Sequence, residues 1–229
     1  MARDRYRHPV ETLSFLGLTP TMSVVEFAPG EGWYTEILAP ALAHGGKLFV
    51  TSGGDPEGPR DDRQAMYARR TQLFLKRLPE AYGQVQVITV SDQAPDLGYS
   101  DEFDMVLVFR ELHGMVNGKR LKDWLAAFHQ ALKPGGILGI EQHRAAPDAD
   151  PTESAEAGYL PEKWVIAQVE AAGFKLAGSS EINANPKDTR DHPEGVWTLP
   201  PTYALGKKDR ARYSAIGESD RMTLKFVKK

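Results

Sequence analysis

Short apolar runs alternate along the chain with stretches whose apolar residues recur at helical spacing, and this alternation constrains the fold more than any other feature. The apolar runs occupy residues 22–28, 47–52, 85–90, 103–109, 137–142, 175–182 and 222–227. Several are nearly continuous rather than alternating in polarity, which is typical of strands that are covered on both faces. The sequence therefore predicts an α/β protein with a mostly parallel sheet between layers of helices.

The stretches between these runs predict the helices and the loops. Helical spacing of apolar residues extends over 33–44, 61–78, 121–132 and 161–173. Pro40 falls in the third turn of the first of these helices and is expected to kink or shorten it. No clear boundary divides the chain, so we expect a single domain over 1–229, with 1–21 as an N-terminal helical cap. The polar and proline-rich segments 144–160 and 183–221 are interpreted as loops on the substrate side of the sheet.

Composition excludes several classes of chemistry. The 229 residues include no Cys, which rules out thiolate zinc sites, nucleophilic cysteine catalysis and redox cysteine pairs. A net charge of −3 argues against a globally basic nucleic-acid binder, and we expect no nucleic-acid partner. The sequence shows no signal peptide and no membrane span, so a cytoplasmic location without membrane association is expected, or a periplasmic one if a leader has been removed.

The segment Val24–Gly32 is the most informative for function. It reads as a strand that ends in Pro-Gly-Glu-Gly and opens a helix, which lets a ligand approach the backbone without interference from Cβ atoms. Glu26, just before the turn, is suited to accept hydrogen bonds from a ribose or an amine. The alternative interpretation is a small-residue turn that serves chain geometry alone. The segment departs from the dinucleotide-binding pattern, because Ala28 and Pro29 stand where Gly is expected and no acidic residue ends the second strand.

The order of motifs resembles the class I S-adenosylmethionine-dependent methyltransferases. The resemblance rests on the glycine turn, on Asp92-Gln93 after the third strand, on the Phe103-Asp104 entry to the fourth strand and on the 132–136 turn before the fifth. The segments 32–40, 109–113 and 219–226 look like a bacterial group of predicted methyltransferases without an assigned substrate. The resemblance covers about residues 24–227. It implies a Rossmann-like, doubly wound sheet of seven strands, mostly parallel with an antiparallel last strand, and S-adenosylmethionine as cofactor.

The resemblance also implies a set of cofactor-binding residues. Glu26, Ala28, Gly30 and Gly32 would line the methionine and ribose portion, Asp92 and Gln93 would lie near the adenine, and Arg110 would form the floor of the site. Ser52 stands where an acidic residue usually holds the ribose hydroxyls, with Asp55 further along the chain. A hydroxyl forms no charge-assisted bond to a ribose, so a lower cofactor affinity is expected. Trp33 and Tyr34 open the following helix, and either pack in the core or lie against the sulfonium.

Two histidines are the candidate catalytic residues. His113 and His143 follow the fourth and fifth strands, at the edge of the sheet where ligands of open α/β proteins bind. If the methyl acceptor must lose a proton, His113 is the preferred base, and Glu141 is interpreted as orienting the loop that carries His143. The spacing of His and acidic residues indicates no cluster of metal ligands, so no metal is expected.

The leading hypothesis is a methyltransferase that acts on a small-molecule acceptor. One alternative is a protein of the same fold that binds S-adenosylmethionine or S-adenosylhomocysteine without catalysis, and another is a nicotinamide-dependent oxidoreductase. The segment 183–221 is interpreted either as a pocket wall or lid, or as a loop that only packs on the sheet. The sequence is compatible with a homodimer and with a monomer.

Overall fold

A computed structural model describes residues 3–229, and a seven-stranded sheet forms its centre. The strands are β1 Ser23–Phe27, β2 Lys47–Gly53, β3 Gln86–Val90, β4 Phe103–Phe109, β5 Leu132–His143, β6 Phe174–Ser180 and β7 Arg221–Lys228. Their order across the sheet is β3-β2-β1-β4-β5-β7-β6. All neighbours pair in parallel except β7, which is antiparallel to both β5 and β6. The predicted seven-stranded sheet with an antiparallel last strand is confirmed.

The strand order reverses between β1 and β4, and this reversal indicates where a ligand is expected to bind. The chain runs outward from β1 to β2 and β3, and then crosses back so that β4 pairs with the other side of β1. In open α/β sheets, ligands bind beyond the carboxyl ends of the strands at such a switch point. The residues after Phe27 and Phe109 therefore lie where a ligand is expected.

Helices surround the sheet, and their bounds differ in places from the sequence predictions. They are α1 Asp4–Arg7, α2 Pro9–Leu16, α3 Thr35–Leu42, α4 Arg63–Lys76, α5 Pro79–Tyr82, α6 Leu112–Asn117, α7 Leu121–Ala131, α8 Pro151–Glu156, α9 Glu162–Ala171 and α10 Arg210–Ile216. A short 3₁₀ helix spans Gly195–Thr198. Residues 1 and 2 of the expected N-terminal cap lie outside the described residues. No helix within residues 3–229 has both the length and the apolar character needed to cross a membrane.

The largest differences from prediction concern short elements. α5, α6 and α8 span only 4, 6 and 6 residues, which is too few for a periodic apolar pattern to stand out. The helix predicted over 33–44 begins only at Thr35, because residues up to Gly32 belong to a turn with left-handed backbone. The fifth strand begins at Leu132 rather than at 137, since Phe103 already pairs with Leu132.

Both faces of the inner strands β1, β2, β4 and β7 are buried, as the continuous apolar runs predicted, whereas the edge strands β3 and β6 are partly exposed. On one face Val25, Val106 and Val108 pack with Trp124 and Phe128 of α7. The opposite face has its own cluster, whose members include Val24, Val50, Met105, Leu107, Leu16 of α2 and Leu38 of α3. Adjacent residues such as Val24 and Val25 thus serve different cores, which explains why these strands show no polar alternation.

Candidate active site

The turn after β1 presents open backbone at one glycine and close packing at another. Ala28, Gly30 and Gly32 have φ values of 49°, 61° and 77°, in the left-handed region that favours glycine. The Ala28 N–H donates to Thr51 Oγ1 at 2.7 Å, which fixes the turn against β2. A Cβ on Gly30 would meet no atom within 4 Å, whereas one on Gly32 would lie 2.6 Å from the ring of Phe74. Gly30 is therefore accessible to a ligand, and Gly32 serves the packing of α3 against α4.

Glu26 is a buried acid at the end of β1. Its side chain is 2% exposed and accepts a hydrogen bond of 2.6 Å from the Thr35 hydroxyl, its one hydrogen-bond donor among the described residues. Burial raises the pKa of Glu26 to about 7, against the lowering effects of Thr35 and of the Arg110 charge. Such a carboxyl group has the capacity for a further cationic or donor partner.

Arg110 lies directly after β4 and supplies the positive charge of the site. Its φ is 63°, and its N–H donates to the Glu141 carbonyl at 2.6 Å. Its Nε is buried and has no hydrogen-bond partner within residues 3–229. The Arg110 charge lowers the pKa of Glu26, Glu111 and His113, although burial still raises the pKa of Glu111 to about 7. A guanidinium with an unpartnered N–H and a buried acid thus lie at neighbouring strand ends.

The two candidate histidines come together. His113 lies on α6 and His143 ends β5, and their ring centroids are 6.0 Å apart. The Trp197 ring lies 5.8 Å from that of His113, and its residue is 38% exposed. Burial lowers the pKa of His113, and it lowers the pKa of His143 well below its usual value. Both imidazoles are therefore neutral near pH 7.

Of the residues expected at the ribose and the adenine, Ser52 follows Thr51, which holds the turn after β1, and Asp92 lies near Glu111. Ser52 is buried near the end of β2, where a Cβ on Gly53 would lie 2.5 Å from Gln64 Oε1. The resemblance implied a ribose-binding carboxylate at this position, and the sequence has none. The Ser52 hydroxyl and the Gln64 amide lie there instead. Asp92 accepts a hydrogen bond of 3.1 Å from Trp124 Nε1, and its charge raises the pKa of Glu111. Gln93 is exposed, and its N–H donates to the Ser91 hydroxyl.

The aromatic residues that open α3 have protein partners. Tyr34 stacks on Phe109 at 3.7 Å between ring centroids and donates its hydroxyl to Glu141 at 2.8 Å. The Arg7 guanidinium lies 4.7 Å over the ring of Trp33. These contacts match the packing interpretation of the two rings, and no contact with a sulfonium is needed to account for them.

A buried ionic cluster lies beneath this edge of the sheet, and most of its members were not predicted as site residues. Arg221 donates to Glu141 at 2.9 Å and to Glu218 at 3.3 Å, and it also donates to the Tyr6 carbonyl. Arg7 donates to Glu218 at 3.0 Å. Glu141 was expected to orient the loop after β5, but its carboxylate instead bonds inward to Tyr34, just before α3, and to Arg221 of β7. Pairing between residues so far apart leaves no local sequence pattern.

The segment 183–221 is fixed to the strand ends by a second set of ion pairs. Arg144 pairs with Asp220 at 3.0 Å and with Glu181 at 2.6 Å, and Arg190 pairs with Asp220 at 2.6 Å. Asp188 is buried and accepts hydrogen bonds from the Tyr159 hydroxyl, the Asp220 N–H and the His192 ring, the last at 2.8 Å. The segment therefore packs closely on the same edge as His143. In the described part of the chain, no group of three His, Asp or Glu residues is arranged to hold a metal ion.

Comparison with known proteins identifies the fold. No family model matches the sequence, and no curated protein matches it. Three of the similar solved structures define the relationship, all at low sequence identity. A SAM-dependent methyltransferase from Aquifex aeolicus shares 14% identity, with a TM-score of 0.63 over 99% of this chain and 92% of that one. The 1,6-didemethyltoxoflavin-N1-methyltransferase from Burkholderia thailandensis, solved with S-adenosylhomocysteine, shares 14% identity, with a TM-score of 0.56 over 98% and 78%.

The third structure has a different reaction in its name. The [4+2]-cyclase SpnF shares 17% identity, with a TM-score of 0.59 over 97% of this chain and 80% of that one. The chain thus has the fold of the class I S-adenosylmethionine-dependent methyltransferases. Because one fold carries different reactions, the reaction depends on the residues of the site.

Proposed function

We propose that the protein is an S-adenosylmethionine-dependent methyltransferase that acts on a small-molecule acceptor. One observation carries the proposal. The buried acid Glu26 and the Arg110 guanidinium, whose Nε has no partner among residues 3–229, lie together where the strand order reverses. The amino-acid end of the cofactor has an ammonium and a carboxylate. These two groups complement Glu26 and Arg110, and the bonds to both would be charge-assisted.

The surrounding residues fit the rest of the cofactor. The open backbone at Gly30 and the adjacent Ala28 allow close approach beside the strand end. Ser52 and the Gln64 amide are suited to bond ribose hydroxyls, and Asp92 with Gln93 would border the adenine. Gly32 would act through the packing of α3 rather than by contact.

The bound cofactor would supply a methyl group already activated on a sulfonium. What remains for this chain is to hold the acceptor in line and to exclude water, and positioning of this kind contributes roughly 7 to 11 kcal/mol to lowering a barrier. His113, His143 and Trp197 are the side chains that we assign to the acceptor. The segment 183–221 would form the wall of the acceptor pocket, since its ion pairs hold it at the same edge.

Calorimetric titration tests the cofactor assignment. We expect micromolar binding of S-adenosylhomocysteine and none of NAD or NADP. Loss of one charge-assisted bond, worth roughly 1.5 to 3 kcal/mol, should weaken binding about 10- to 150-fold in Glu26→Gln and in Arg110→Gln. Glu36→Gln, an exposed acid on the neighbouring α3, is the matched control and should bind as the unmodified protein does. Absence of S-adenosylhomocysteine binding, or binding of NAD instead, would contradict the proposal.

A second measurement separates an enzyme from a binding protein of the same fold. Radioactive methyl transfer from S-adenosylmethionine to a metabolite extract should yield a labelled product. No transfer to any component, together with tight S-adenosylhomocysteine binding, would favour the binding protein.

A further inference from the structure

The hydrogen bonds around His113 determine which of its nitrogens carries the proton. Gln142 Nε2 donates to the Gly158 carbonyl at 3.0 Å, and this orients the amide because a carbonyl oxygen only accepts. The same amide nitrogen lies 3.4 Å from His113 Nδ1. It also lies 3.4 Å from the His143 carbonyl. Because an amide nitrogen donates and does not accept, its approach to Nδ1 of His113 is favourable only when that nitrogen is unprotonated.

The proton position of His143 is likewise set by its hydrogen-bond partner. Its Nδ1 lies 2.5 Å from the hydroxyl of Ser219, a residue that is only 3% exposed. Among residues 3–229 this imidazole is the one hydrogen-bond partner of that hydroxyl. The hydroxyl proton therefore has an acceptor only if Nδ1 of His143 is unprotonated, and a buried donor without an acceptor is disfavoured.

A neutral imidazole carries one proton, so both rings carry it on Nε2. No described residue forms a hydrogen bond with either Nε2 atom. Burial keeps both rings neutral near pH 7, as described above. Each ring therefore offers an N–H donor on the side away from its Nδ1 contact, and neither offers a free basic nitrogen.

We propose that these two Nε2–H groups bind an anionic oxygen of the methyl acceptor, which makes the substrate an organic acid such as a carboxylic acid or an acidic phenol. The inference rests on the proposed methyltransferase function and specifies its substrate class. Two donors on rings 6.0 Å apart, with Trp197 beside them, are suited to an oxyanion attached to an apolar body. The positive charge of Arg110, which acts on both rings, favours an anion further. Gln142 and Ser219 are then positioning residues.

The reaction balances without a base. A lone pair of the acceptor oxygen forms the new O–CH₃ bond while the C–S bond breaks, and its electron pair remains on sulfur. The products are a methyl ester or ether and S-adenosylhomocysteine, and no proton moves in this step. A base role for either histidine would instead require a neutral hydroxyl and a free nitrogen to accept its proton.

Nitrogen-15 NMR of the histidine-labelled protein tests the tautomers directly. At pH 7.5 we expect both His113 and His143 to show the Nε2–H form. In Ser219→Ala the signals of His143 should change toward a mixture of tautomers, and Ser219→Thr should restore them. Ser14→Ala, an exposed serine on α2, is the control. Finding the proton on Nδ1 of either ring would overturn the proposal, and this readout does not depend on any cofactor.

Probe binding tests the ligand class. At pH 8.5 we expect 4-nitrophenolate to bind at least tenfold more tightly than neutral 4-nitroaniline of the same shape. His113→Leu should lower that preference, because one of the two donors is lost, whereas His113→Gln should keep most of it, because a glutamine amide donates a hydrogen bond but accepts no proton. Equal binding of the two probes would overturn the proposal. If S-adenosylhomocysteine fails to bind while these results hold, the anion site stands and the methyltransferase proposal fails.

Discussion

Glu26 shows how a single residue can destabilise the fold in which it lies. A carboxyl group with an unperturbed pKa of 4.5 is buried there, and its pKa rises to about 7. Between these two values the unfolded chain loses its proton while the folded chain keeps it. The buried carboxyl therefore destabilises the fold least below about pH 4.5, where it is protonated in both states. The stability of the fold declines as the pH rises from there to about 7.

This linkage predicts a variant whose effect depends on pH. Glu26→Gln removes the ionisation and keeps the shape of the side chain, so it should stabilise the protein more at pH 8 than at pH 4.5, by about 3 kcal/mol. Urea unfolding at the two pH values measures the difference. Glu36→Gln on the exposed side of α3 should show almost none. An effect of Glu26→Gln that is equal at both pH values would contradict the raised pKa.

At the residue scale, the sequence predicted some residues of the candidate site and gave no signal for others. The predicted residues lie at or just after the ends of recognisable strands, and they are Glu26, Arg110, His113 and His143. Ser219 and Gln142 could not be assigned a role, because their importance depends on which atom of a distant ring they contact.

At the scale of elements, the glycine turn and the two helices next to it form one unit. Gly30 and Gly32 are two residues apart and both have left-handed backbone, but their surroundings differ. Phe74 of α4 fills the space beside Gly32, while Gly30 faces open space. The sequence predicted a ligand role for both glycines, and only the position of Phe74 separates them.

The pair offers a matched comparison. Gly30→Ala should lower the free energy of unfolding by about 1 kcal/mol, because alanine is disfavoured in left-handed backbone. Gly32→Ala should cost roughly 1 to 3 kcal/mol more, because its methyl group overlaps the ring of Phe74. Chemical denaturation measures both, and Phe74→Leu added to Gly32→Ala should recover part of the loss. Equal costs at the two glycines would show that the ring moves aside freely.

Elements were predictable to the extent that they are long and repeat a pattern. The strands with continuous apolar runs were located within a few residues, because burial on both faces leaves a strong signal. α6 was missed although it carries His113, since six residues provide less than two helical turns.

At the scale of the whole molecule, Glu218 joins the two ends of the described chain. It accepts from Arg3 and Arg7 near α1 and from Arg221 at the start of β7. Arg7, Glu218 and Arg221 are each at most 5% exposed. Removal of this acid would leave the buried Arg7 guanidinium without its carboxylate partner, whereas Arg221 would keep Glu141.

Glu218→Gln should therefore destabilise the protein by about 3 to 5 kcal/mol, the range typical of breaking a buried ion pair. Hydrogen exchange in α1 and α2 should increase at the same time, because the contact that holds these helices is lost. Glu80→Gln on the surface of α5 is the control, with no expected change in denaturation midpoint. A loss below 1 kcal/mol would mean that water solvates the cluster.

The Arg7–Glu218 contact also sets an order of events during synthesis. The two residues are separated by 211 positions, and Glu218 lies just before β7, which completes the sheet between β5 and β6. At translation rates of about 5 to 20 residues per second, Glu218 is synthesised roughly 10 to 40 s after Arg7. Until then Arg7 lacks this carboxylate, so docking of α1 through the ion pair follows the synthesis of residue 218, and this side of the binding edge closes late.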